Sequence, residues 1–132
     1  MARESHFAIT QTIKGKLPRL PLKRIKNDVV GTRYTLSVAF VGDTRAATLN
    51  RIYRGKKTPA NVLSFPLSKN EGEIIINPYQ AKRDAKHFNM SEKQFIGYLF
   101  IHGLLHLKGY RHSSTMNREE KKLLRKFNIK KK

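Results

Sequence analysis

Apolar and polar positions alternate along this chain in two periods, and the places where one period gives way to the other define the predicted elements. Residues 5 to 13 alternate in strand fashion until Lys14-Gly15-Lys16-Leu17-Pro18 breaks the pattern, and a short basic helix is expected around residues 21 to 30. β-Branched and aromatic residues from Arg33 to Val41 predict a second strand. Asp43 or Thr44 is suited to cap a helix whose buried stripe is Ala46, Leu49, Ile52 and Tyr53, and Gly55 ends it. Strand signals follow at 61 to 65 and 73 to 76.

Pro78 suits the first turn of a helix running to about His87. Ser91, with Gln94 three residues later, reads as a capping box opening a helix that ends near Lys108. The apolar set of that helix, which includes Phe95, Leu99, Phe100, Leu104 and Leu107, covers much of its circumference, as expected of a helix at the centre of a domain. A last helix from about Thr115 to Phe127 is expected to bury Leu123, Leu124 and Phe127, leaving the tail Lys130-Lys131-Lys132 frayed. With no internal repeat and no low-complexity linker, residues 1–132 read as one compact α+β domain. Its expected architecture is a mixed sheet of about four strands packed with about four to five helices.

The central helix carries the chemistry. Ile101-His102-Gly103-Leu104-Leu105-His106-Leu107-Lys108-Gly109-Tyr110-Arg111-His112 places three of the five histidines at His-x3-His-x5-His spacing. Positions i and i+4 share a helix face, so His102 and His106 can meet one ion, while Gly109 lets the chain turn and bring back His112. Three imidazoles leave one tetrahedral corner open, which is the ligand set of a catalytic zinc rather than a structural one; imidazole also suits nickel, copper and iron. Gly103 stands where zinc peptidases of the His-Glu-x-x-His type carry their general base, so that chemistry is disfavoured. His6 and His87 lie far away along the chain and read as structural or solvent-facing.

Charge narrows the partner. Twenty-eight Lys and Arg against nine Asp and Glu give +19, far more than solubility requires and self-repelling in the compact state. The excess is spread, about +5, +6 and +8 over the stretches divided at residues 32 and 90. A membrane-surface protein would concentrate its charge on one amphipathic helix, so a polyanion, RNA in particular, is the expected partner. The absence of cysteine excludes thiol catalysis and cysteine-bound zinc. The first ten residues lack the apolar run of a secretory signal, and cytoplasm is the default expectation.

A second basic segment, Leu49-Asn50-Arg51-Ile52-Tyr53-Arg54-Gly55-Lys56-Lys57-Thr58-Pro59-Ala60-Asn61-Val62-Leu63-Ser64-Phe65-Pro66, precedes the histidine motif. In that order the two resemble the YbeY family of bacterial rRNA maturation endoribonucleases. The family pairs Tyr-Arg-Gly-Lys and Val-Leu-Ser-Phe-Pro with a Gly-Asp-Ile strand and a terminal His-Gly-x-Leu-His-Leu-x-Gly-Tyr-Asp-His. The resemblance runs from about Leu49 to His112. It implies a single-domain α+β zinc protein with His102, His106 and His112 as metal ligands and Arg54 in the position of the family's functional arginine. It also implies single-strand-specific cleavage of RNA in 16S rRNA 3′-end maturation and ribosome quality control, with the small ribosomal subunit and its proteins as partners. Ser64 falls on a strand facing the cleft in that picture, in a packing role or a functional one.

There are departures from the family pattern. Arg111 replaces the usual aspartate before the third histidine, a change of two charge units that offers a phosphate contact instead, and Gly72-Glu73-Ile74 replaces Gly-Asp-Ile. The mechanism implied is zinc on the three histidines polarising a water or phosphate oxygen while Arg54 clamps the scissile phosphate, with Lys56 and Lys57 guiding the RNA backbone. No general base is evident. The alternative is therefore a non-catalytic, metal-stabilised ribosome assembly factor, and a zinc hydrolase of peptides or small amides ranks third.

Overall fold

The computed structural model describes residues 6–132, so the predicted start of the first strand at residue 5 lies outside them. Five helices and four strands follow in the order β1 Phe7–Gln11, α1 Leu22–Val30, β2 Thr35–Phe40, α2 Asp43–Arg54, β3 Val62–Ser68, β4 Glu71–Ile76, α3 Pro78–Ala85, α4 Glu92–Leu107 and α5 Ser114–Lys126. A 3-10 turn, Lys86–Phe88, extends α3. The sheet order is β1-β2-β4-β3. The first three of these strands run parallel, and β3 pairs antiparallel with β4 as an edge hairpin. This is the expected α+β domain with a mixed four-stranded sheet.

Period-2 alternation distributes the sheet's side chains between two cores. Leu36, Val38 and Phe40 of β2 and Ile74 and Ile76 of β4 point to one face, where α1, α3, α4 and α5 pack. Val41, Leu63 and Ile75 point to the other face, which Ala46 and Leu49 of α2 cover. The larger core is built around α4: Phe95, Phe100, Ile101 and Leu104 have no exposed surface. Burial of each contributes about 1.5–3 kcal/mol. A helix buried on nearly all sides lacks the single apolar stripe of a surface helix, and its continuous apolarity is the sequence expression of that position.

Several expectations need correction. Ile52 and Tyr53 are 59% and 63% exposed rather than buried, because α2 covers the sheet with Ala46, Leu49 and Asn50 and then overhangs the edge strand β3. The cap of α2 is Gly42, not Asp43 or Thr44; the Asp43 carboxylate instead accepts from Asn77 Nδ2 at 2.8 Å and Arg83 Nη2 at 2.6 Å. Only half of the capping box at α4 forms: Ser91 Oγ accepts from the Gln94 amide at 3.2 Å, while Gln94 Oε1 accepts from the Lys130 amide at 2.9 Å. That second bond corrects the frayed tail. The C-terminus is tied to α4 by Lys130 and by buried Ile129, and to the turn before α4 by the Lys132 amide donating to the Asn89 carbonyl at 2.8 Å. Leu123, Leu124 and Phe127 are only half-buried against the same core.

Candidate metal centre and cleft

α4 presents His102 and His106 one turn apart, and the chain beyond it supplies the third histidine through a turn that glycine makes possible. Gly109 has φ +106°, a left-handed conformation that costs glycine nothing. Its amide donates to the His106 carbonyl at 3.0 Å, and the Tyr110 amide donates to the Leu105 carbonyl at 3.0 Å. The reversal carries His112 back, so that the imidazoles of His102, His106 and His112 stand with ring centroids 4.6 to 5.3 Å apart. One ligand nitrogen from each lies within 4.8 Å of the others.

The tautomers follow from the partners. His106 Nδ1 lies 3.0 Å from the Tyr110 carbonyl oxygen, which can only accept, so Nδ1 carries the proton. His102 Nδ1 lies 2.7 Å from Glu120 Oε2 and donates to it in the same way. In the neutral imidazoles both Nε2 atoms are then left with lone pairs, and they face each other across 3.1 Å. Two lone pairs at that distance repel unless a proton or a metal cation lies between them. Two nitrogens bound tetrahedrally at about 2.0–2.1 Å stand roughly 3.3 Å apart, so this donor set fits a divalent ion. Burial, the largest influence, holds the His106 imidazole below its ordinary pKa of 6.5, which favours the neutral ligand form.

Glu120 escaped the sequence reading. It lies on α5, 9% exposed, one helical turn beyond buried Met116. Of the two adjacent acids of this mostly basic helix, Glu119 and Glu120, only Glu120 stands at i+4 from the apolar anchor, and that was the available signal. Its carboxylate engages Nδ1, on the far side of the ring from Nε2, and so fixes the orientation of the His102 imidazole while facing away from the other two histidines. Tyr98 lies beside His102 with centroids 5.9 Å apart and the rings tilted by 30°. Burial and then Glu120 raise the pKa of its phenol.

The histidines form the floor of a cleft of about 720 Å3 between α4 and the α2–β3 segment, and Arg54 and Ser64 also line it. Arg54 lies exposed at the end of α2, where the Gly55 and Lys56 amides already satisfy the Arg51 and Asn50 carbonyls. Its guanidinium has no hydrogen bond or ion pair among the described residues and is not a helix cap. Lys56 and Lys57 are exposed on the following loop, which Asn50 ties down by donating to the Thr58 carbonyl at 2.8 Å. Arg111 is exposed but does not line the cleft.

Ser64 Oγ donates to the Gly103 carbonyl at 3.2 Å, joining β3 to α4. A Cβ on Gly103 would meet Ser64 Oγ at 2.8 Å and Ile74 Cδ1 at 3.2 Å, so this position is occupied by the approach of helix to sheet and has no room for a base. His6 is bonded to Thr35 Oγ1 at 2.9 Å, His87 is exposed, and neither joins the cluster. No helix among the described residues is long and apolar enough to cross a membrane.

Known proteins resemble this chain over most of its length. The chain is 31% identical to the endoribonuclease YbeY of Pelotomaculum thermopropionicum, over 96% of this chain and 93% of that one. It is 42% identical to that of Thermodesulfovibrio yellowstonii, over 70% of this chain and 64% of that one. A solution structure of a Thermotoga maritima protein superposes with a TM-score of 0.64 at 28% identity, covering 92% and 88% of the two chains. The family model described as endoribonuclease YbeY matches residues 4–128. With so much of the chain matched, it belongs to the YbeY family of endoribonucleases.

Proposed function

We propose that this chain is a zinc-dependent, single-strand-specific endoribonuclease of the cytoplasm that acts on the 3′ end of 16S rRNA in the small ribosomal subunit and in ribosome quality control. The observation that carries this reading is the convergence, in one cleft, of three imidazoles with Nε2 lone pairs on two of them and an unpaired arginine. His102, His106 and His112 would hold the ion. When bound, zinc supplies a Lewis acid and a water whose pKa falls toward about 7.

The chain's own groups do the rest. Glu120 and the Tyr110 carbonyl hold the protons of His102 and His106 on Nδ1 and so keep Nε2 available. Arg54, free of other partners, donates two parallel N–H groups to a phosphate and neutralises the charge that grows on phosphorus. Lys56 and Lys57 beside it, and Arg111 outside the cleft, attract the flanking backbone. No Asp or Glu is among the described residues lining the cleft, so peptide hydrolysis assisted by a carboxylate base is not supported. The same observation favours a second reading, in which the metal stabilises a ribosome assembly factor and another nuclease cleaves.

Cleavage of a single-stranded rRNA 3′-end substrate and of a matched duplex, by wild type, Arg54→Ala and His106→Ala purified free of host nucleases, separates the two. The nuclease reading expects the single strand to be cut and each substitution to cost at least about 10²-fold. Cutting that is absent, or indifferent to both substitutions, leaves the assembly-factor reading.

A further inference from the structure

Two aromatic side chains are exposed beside the metal cleft although the core does not need them. Tyr53 is 63% exposed at the end of α2, immediately before Arg54, and its ring is held against Phe65 of β3 with centroids 4.9 Å apart. Phe88 is 43% exposed in the turn before α4, and its ring rests on Phe95 at 4.9 Å and Tyr98 at 6.0 Å. Both line the same cleft as the three histidines. They belong to different walls, Tyr53 to the α2–β3 side and Phe88 to the α3–α4 side. The second wall continues inward through further rings, Phe95 stacked on Tyr98 at 5.7 Å and Tyr98 tilted against His102 at 5.9 Å.

Large exposed aromatics held by neighbouring rings lose little conformational entropy when a flat ligand is laid on them. A cleft of about 720 Å3 lined by the Arg54 cation and by aromatic rings, with Lys56 and Lys57 on the adjoining loop, has the two components that proteins use for unpaired nucleic acid: charge for the backbone and π-faces for the bases. Resting on the endoribonuclease reading, we infer that Tyr53 and Phe88 are base-stacking platforms that take unpaired nucleobases of the RNA on either side of the phosphate held by Arg54. Bases in a duplex are stacked on each other and unavailable to either ring. Selection for single strands is then made by these two residues, in binding, and not by the metal. An apolar peptide or a second copy of the chain would use the rings differently, since neither needs a planar π-face.

The test uses the full chain and a short oligoribonucleotide carrying 2-aminopurine, whose fluorescence is quenched when it stacks, beside a duplex of the same length. Tyr53→Leu and Phe88→Leu keep apolar bulk and remove the π-face, and Tyr53→Phe restores it; thermal midpoints confirm that each variant is folded. The expected result is a loss of roughly tenfold in single-strand affinity for each leucine variant, with loss of quenching and rescue by Tyr53→Phe. Duplex affinity and the salt dependence stay unchanged. Single-strand affinity untouched by both substitutions, equal losses on single strand and duplex, or Tyr53→Phe as weak as Tyr53→Leu would overturn the inference. Cleavage measured in parallel keeps the two readings apart. Stacking-dependent binding without cleavage supports the platforms and removes the nuclease, whereas cleavage with binding indifferent to both rings does the reverse.

Discussion

The fitness of His102 and His106 to hold a metal ion rests on atoms that would not touch it. Glu120 and the Tyr110 carbonyl accept hydrogen bonds from Nδ1–H of the two rings, and in the neutral imidazoles the facing Nε2 lone pairs are left for a cation. The account therefore expects Glu120→Gln, which keeps the volume and removes the charge, to lower metal affinity by about tenfold, and Glu120→Ala by up to about 100-fold. Competition with a chelating dye measures both, and an affinity equal to wild type in both variants would remove Glu120 from the site. Gly103 makes the complementary point. Installing the peptidase glutamate by Gly103→Glu does not create a base, because that side chain would be driven into Ser64 and Ile74. Overpacking and a buried carboxylate together predict about 2–4 kcal/mol of lost stability, read by urea denaturation, with no peptidase activity gained.

At the scale of elements, the site depends on how α2, α3 and α4 are anchored to the sheet. Buried Asn77 caps α3 by accepting from the Tyr79 and Gln80 amides and also donates to Asp43 at the start of α2. The Arg83 and Asn77 hydrogen bonds hold the Asp43 carboxyl below its ordinary value of 3.8. A depressed folded pKa means that the stabilisation is complete above the unfolded value and is lost as pH falls below it. Asp43→Asn should accordingly be less stable than wild type at pH 7, with the two stability curves converging below about pH 4; a gap independent of pH would place the effect in packing.

The helices, strands and histidine triad were legible because each is written in local spacing: period 2 in β2, continuous apolarity in α4, i and i+4 for His102 and His106, and glycine at the turn to His112. What could not be read depends on distant partners. Tyr53 continues an apolar stripe, and only the edge position of β3 shows that α2 has overhung the sheet by that point. Glu120 meets His102 across eighteen residues of chain, and the cap of α2 passes to Gly42 because Asp43 is claimed by Asn77 and Arg83.

For the whole molecule, a net charge of +19 on 132 residues makes binding to RNA a matter of counterion release. Single-strand affinity should fall steeply between 50 and 200 mM salt, with a log–log slope of about −0.7 for each phosphate neutralised. Replacing Lys56 and Lys57 together by alanine should flatten that slope by about 1.4 without altering metal content. An unchanged slope would place neither lysine on the RNA backbone.

The central claim is that bound metal and RNA cleavage belong to one site. It is tested most directly by stripping the protein with a chelator, restoring zinc in steps, and measuring bound zinc and cleavage of a single-stranded rRNA 3′ end on the same samples. Cleavage should be lost on stripping and return in proportion to zinc up to about one ion per chain, with no recovery in His106→Ala. Cleavage that persists in the stripped protein, or that stays absent at full zinc occupancy, would contradict it.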